Sequence, residues 1–100
     1  MRRAARVDAN QPEIVAALRK VGASVTPIHA VGQGCPDLLV GFRGRTLVLE
    51  VKDGSKPPSA RKLTDDEAVW FGNWKGEAYV VETPEQAIEY LTRSGANGRQ

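Results

Sequence analysis

Cysteine and histidine each occur once in this chain, as Cys35 and His29. One cysteine excludes an internal disulfide and any cysteine-cluster metal site. The lone histidine lies in no recognisable motif, so no nucleophile–histidine–acid set can be assembled around it. Long hydrophobic runs are missing too, and no apolar stretch is long enough to span a membrane. The basic start MRRAARVDAN leads into no hydrophobic segment, which argues against a secretory signal. Gly32 and Gly34 lack the spacing and the following helix of a phosphate-binding fingerprint, so no small-molecule cofactor is expected. These absences leave a cytoplasmic protein as the expectation. What remains is ordinary for a globular domain: 100 residues, 41% hydrophobic and 26% charged, enough for one core and not two.

Charge is unevenly placed. The net charge of +2 hides a basic middle and an acidic end. Residues 41–62 carry Arg43, Arg45, Lys52, Lys56, Arg61 and Lys62 against only Glu50 and Asp53, whereas acidic side chains dominate from residue 63 onward. A basic segment enclosing two carboxylates fits a polyanion surface with a cation site inside it, and fits solvated loops equally well.

Residues 1–9 read as a loosely held basic arm and residues 94–100 as a frayed tail, leaving 10–93 as the domain. Asn10 followed by Glu13 forms a candidate capping box ahead of an apolar stripe of Ile14, Ala17, Leu18 and Val21, with Gly22 as the stop. Strands are expected over residues 23–29, 37–42 and 45–52, the last two joined by a tight turn at Arg43-Gly44. Residues 53–62 read as a loop. Thr64 with Glu67 opens a second helix that runs to about Trp74, and residues 77–82 form a fourth strand. Thr83-Pro84-Glu85-Gln86 then starts a last helix with Ala87, Ile88 and Leu91 as its stripe. The order αβββαβα, a hairpin followed by a helical crossover, predicts an α/β fold with a mixed sheet flanked by helices.

The run LVLEVKDG (47–54) places two charges in an apolar strand. Leu47, Leu49 and Val51 share one face, and Val48, Glu50 and Lys52 the other, with Glu50 and Lys52 roughly 7 Å apart by strand geometry. Taken alone, that is a wet strand face with an ion pair. Asp37 in GCPDLLVG (34–41) changes the reading, because antiparallel pairing would set it beside Glu50 at one end of the sheet. Two adjacent carboxylates repel, and so favour a divalent cation between them. Mg²⁺ suits such a site because it takes hard oxygen ligands and keeps several waters. Lys52 beside it can orient a water or help deprotonate it. Glu67 is a second carboxylate in an apolar setting. At about 100° per residue it falls within the stripe of Leu63, Trp70, Phe71 and Trp74. It either caps its helix or finds Lys52 or water as a partner.

These stretches, with the helix start LTDDE (63–67), resemble the PD-(D/E)xK nuclease superfamily and, within it, the virus-type replication-repair nuclease (VRR-NUC) domain, over about residues 8–91. The resemblance implies a restriction-endonuclease-like αβββαβ core. It implies metal ligation by Asp37 and Glu50 with the backbone carbonyl of Val51 as a third ligand, a catalytic role for Lys52, and Mg²⁺ as cofactor with Mn²⁺ as substitute. In the family a first-helix glutamate, here Glu13, often contributes through metal-bound water, although Glu13 also has the capping explanation. The family usually has glutamine where this chain has Glu67, which leaves the duty of Glu67 open.

The expectation is a Mg²⁺-dependent endodeoxyribonuclease. Arg43, Arg45, Lys56, Arg61, Lys62 and the arm residues Arg2, Arg3 and Arg6 are the expected phosphate contacts, which position DNA without reading its sequence. Stand-alone domains of the family resemble Holliday-junction resolvases, which work as dimers. The expected partners are therefore branched DNA and a second copy of the chain. Two readings compete: a DNA-binding or assembly protein that keeps the fold without the chemistry, and a nicking subunit of a larger phage or repair complex, active only with a partner.

Overall fold

A helical apolar period over the first element gives way to strand alternation, and the elements follow that change. The computed structural model describes residues 7–93. Helix α1 (Gln11–Lys20) is followed by β1 (Ser24–Pro27), a single 3-10 turn (His29–Val31), β2 (Leu38–Phe42) and β3 (Arg45–Val51). Two helices, α2 (Pro58–Arg61) and α3 (Asp65–Asn73), then lead to β4 (Glu77–Val81) and α4 (Pro84–Thr92). The basic arm expected at residues 1–9, with Arg2, Arg3 and Arg6, falls largely outside the described residues, as does the tail 94–100. Among the described residues no helix is long and apolar enough to cross a membrane.

The sheet order is β1-β2-β3-β4, antiparallel between the first three strands and parallel between β3 and β4. A parallel pair needs a crossover, and α2 and α3 lie within it. Leu38, Val40, Phe42, Leu47, Leu49, Val51 and Val81 form one sheet face and bury themselves against Ile14 and Leu18 of α1 and Ala87 and Leu91 of α4. The other face carries Val48, Glu50 and Lys52, and α3 contributes no fully buried residue. The α/β architecture is the one the pattern predicts. Three details differ. Asp37 precedes β2, although its N–H still donates to Leu49 O at 3.1 Å and its carbonyl accepts from Ile28 N at 2.7 Å. The first strand stops at Pro27, which has no N–H to continue a ladder. The loop 53–62 contains the one-turn helix α2, where Pro58 takes the first position that proline favours.

Candidate active site

The register Leu38↔Leu49 sets the start of β2 against the end of β3. Asp37 therefore stands beside the last residues of β3, and its Oδ2 accepts the Val51 N–H at 2.8 Å. Glu50 and Lys52, on the face away from the core, are only 4% and 8% exposed, so this end of that face is not wet, although Thr46 and Leu39 farther along it are exposed. Lys52 Nζ lies 3.6 Å from Glu50 Oε2 and 2.7 Å from Glu67 Oε1. Glu67 does both things the sequence left open. Its Oε1 accepts from Thr64 N at 2.9 Å, closing the capping box, and the same oxygen binds Lys52.

The electrostatics follow from burial. Desolvation, then the negative charges of Asp37 and Glu67, push the Glu50 carboxyl up to about 9. Burial also raises Asp37, against the lowering effect of the Val51 N–H, and nearby Asp8 adds to the rise. For Lys52, burial works against the charge, but Glu67 and Glu50 outweigh it and hold the ammonium above its ordinary pKa. Glu67 is desolvated as well, yet Lys52 and the Thr64 N–H leave it below the usual carboxylate range. The Cys35 thiol is raised by burial and by Glu50 and Asp37, which keeps it from being a thiolate nucleophile.

A divalent cation fits this donor set. Glu50 Oε1 is buried without a hydrogen-bond partner among the described residues, beside a second carboxylate whose pKa is also raised. No cluster of three or more acidic, histidine or cysteine side chains that could hold a metal occurs among the described residues. Two carboxylates would thus leave the remaining positions to a main-chain carbonyl and to water, the arrangement Mg²⁺ favours.

The other expected residues stand outside this cluster of four charged side chains, some near it and some far. Glu13 is exposed on α1 and closes no capping box, because the Asn10 side chain makes no cap. The Asn10 amide instead donates to Lys52 O at 3.0 Å and Glu82 O at 2.9 Å, tying the start of α1 to the ends of β3 and β4. Arg43 and Arg45 flank the β2–β3 turn, about 17 Å of strand from Asp37. Arg45 is fully engaged within the protein, donating to both Glu77 carboxylate oxygens at 2.6 and 3.2 Å and to Leu91 O, Tyr90 O and Arg93 O. Arg43 lies over the Phe42 ring. Lys56 is 3.7 Å from Asp8, Arg61 is 3.4 Å from Glu82, and Lys62 is exposed just before α3. The sequence reading missed Asn10 as a brace and Asp8 as a neighbour of Asp37. Asn10 stands where a cap belongs, and Asp8 carries no local signature.

No family model matches the sequence, and no curated protein matches it either. A solved structure described as "VRR_NUC domain" is similar, with a TM-score of 0.56 at 22% sequence identity over 88% of this chain and 100% of that chain. The fold expected from the PD and ExK stretches is therefore present: the chain has the α/β fold of a VRR_NUC domain structure.

Proposed function

We propose that the protein is a divalent-metal-dependent DNA nuclease that hydrolyses phosphodiester bonds, with branched DNA as its preferred substrate and a homodimer as its working form. One observation carries the reading: Glu50 is buried beside Asp37 with one oxygen unpartnered among the described residues, and a fixed ammonium stands 3.6 Å from its other oxygen. A strand interior holds such a group only at a cost, which a site for cations and phosphate explains.

Asp37, Glu50 and the Val51 carbonyl would hold the cation, and Mg²⁺ or Mn²⁺ bound there would supply Lewis-acid stabilisation of the phosphodiester and a lower pKa for the attacking water. Lys52 acts as a cation in this arrangement, not as the base, because Glu67 and Glu50 hold its proton. It orients the water or the phosphate oxygen and stabilises negative charge as it develops. Glu67 holds Lys52 in place, and Asn10 braces the backbone that carries it. Glu13, exposed on α1, is assigned no step.

The test is cleavage of labelled four-way junction, flap and linear duplex with Mg²⁺ and with EDTA. Asp37→Ala and Glu50→Ala should abolish cleavage while leaving DNA binding intact, and Lys52→Ala should lose most turnover but still bind Mg²⁺ by calorimetry. Cleavage in EDTA, or wild-type rates from these variants, rejects the assignment. DNA binding with no cleavage of any substrate would favour the non-catalytic reading.

A further inference from the structure

Trp70 and Trp74 stack with ring centroids 4.6 Å apart and planes 20° from parallel, and Phe71 meets Trp70 edge-on at 5.6 Å. None of the three belongs to the core, and Trp74 and Val69 keep 44% and 64% of their surface exposed. The stack is nonetheless held in place. The Trp74 indole N–H donates to Glu77 O at 3.3 Å, and Gly76 packs so near that a Cβ there would lie 3.1 Å from Nε1. Beside the stack is a cleft of about 470 Å³, walled by Val69, Trp70 and Trp74 and rimmed by Gln33, Asp66 and Asn73.

Gln33 reaches the cleft from a costly conformation, with φ of 56° between two glycines at 77° and 83°. The same turn leads through Cys35 and Pro36 to Asp37. Its Gly34 lies against the backbone of Asp66 and Glu67, where any Cβ would collide with the Asp66 carbonyl. Cleft and acidic site are two sides of one junction between loop and helix. Glu67, which binds Lys52, stands seven residues before Trp74, about 10 Å along the helix axis. That is about three nucleotides of a stacked strand.

Fixed aromatic rings rimmed by two amides and a carboxylate suit a planar ring with donors on its edge. Charge decides which kind. The first turn of α3 carries Asp65, Asp66 and Glu67, which repel phosphate. The Asp66 carboxylate, by contrast, accepts from the exocyclic amino groups of cytosine, adenine or guanine. We propose that this cleft binds one unpaired nucleobase of a DNA strand whose backbone passes the acidic site. The base extends the tryptophan stack, and Gln33, Asp66 and Asn73 meet its edge. This rests on the nuclease reading, which brings DNA to the junction.

The full chain in EDTA, titrated with a short oligodeoxycytidylate and with an abasic strand of equal length and charge, tests the proposal by tryptophan emission. The base-bearing strand should quench emission and bind about 5- to 100-fold more tightly than the abasic one. Trp74→Ala should erase that difference and Trp74→Phe keep most of it. Asn73→Ala, at an exposed helical position, should weaken the base-bearing strand alone, which keeps the test valid if Trp74→Ala fails to fold. Equal affinity for the two strands overturns the proposal. So does stronger binding of an oligoarginine peptide than of the oligonucleotide, or a Trp74→Ala effect confined to a change of molecular mass by light scattering. Binding is read without metal, so base discrimination without cleavage in Mg²⁺ removes only the nuclease, and cleavage without discrimination removes only the cleft.

Discussion

Glu50 pairs a raised pKa with an almost complete loss of solvent, and the linkage has a definite sign. Its carboxyl rises from 4.5 to about 9 on folding, first through burial and then through Asp37 and Glu67. Folding therefore favours the protonated form. The stabilisation is complete below about pH 4.5 and is lost as pH rises toward 9. In EDTA, thermal melts of the wild type should fall in midpoint across that window. Glu50→Gln, which mimics the neutral acid, should flatten the decline. A pH-independent wild-type midpoint would show that Glu50 is not desolvated in solution. If Glu50 ligates the cation as proposed, the same proton would leave on binding, so Mg²⁺ affinity should climb by up to about tenfold per pH unit from neutrality toward 9, with proton release visible by calorimetry in two buffers.

Glu67 offers a sharper residue-level contrast, because one oxygen serves both Thr64 N and Lys52 Nζ. Glu67→Gln keeps an acceptor for both and should retain cleavage. Glu67→Leu leaves the buried ammonium with Glu50 alone at 3.6 Å, and should lose at least tenfold in turnover, along with about 1 kcal/mol of stability from the broken cap. Equal activity of the two variants would reduce Glu67 to a helix start.

Elements were legible wherever the signal was local. Thr64 with Glu67 closes the capping box the sequence implies, and Arg43-Gly44 makes the hairpin that carries Asp37 toward Glu50. Thr83 caps its helix by accepting the Gln86 N–H, but the Gln86 side chain accepts from Glu82 N in place of the Thr83 N–H, so that box stays half closed. Asn10 with Glu13 shows the same signal and forms no box. Two carbonyls at the sheet end, Lys52 O and Glu82 O, take its amide, and nothing in the local sequence encodes that. The loose packing of α3 was equally hidden, since a tryptophan stripe looks the same whether it is buried or left half in solvent. The junction between loop and α3 can be tested by two glycines of similar backbone conformation. Gly34 has φ of 83° and faces the Asp66 backbone, whereas Gly44 has φ of 81° and open space. Gly44→Ala should cost about 1 kcal/mol with normal cleavage. Gly34→Ala must also push α3 away, so it should cost more and lose cleavage by displacing Asp37 and Glu67 together. Equal melting points would mean that the clamp is not held in solution.

At the scale of the molecule, the charge asymmetry resolves into two ends. Arg43 and Arg45 sit at the hairpin, and Arg45 is consumed by Glu77 and three carbonyls. Arg45→Ala should therefore lower stability by about 2 kcal/mol, because it strands those acceptors, and should leave DNA affinity nearly unchanged. Arg61 and Lys62 immediately precede α3, on which Glu67 meets Lys52, so a duplex whose phosphate lies at Asp37 and Glu50 would pass close to them. Neutralising that pair should flatten the slope of log affinity against log salt by roughly 1 to 2 units. An unchanged slope would move the DNA path elsewhere. Shape selectivity is a separate matter, because the salt dependence counts phosphate contacts without reporting how the strands that carry them are arranged. If two copies hold their acidic sites at the separation of opposed strands in a four-way junction, a linear duplex fits the pair less well. A four-way junction should then outcompete linear duplex, with incisions on opposing strands at related positions and a dimeric mass by light scattering. A monomer that cuts both substrates equally would reject the branched-DNA preference while leaving the proposed metal chemistry at Asp37, Glu50 and Lys52 untouched.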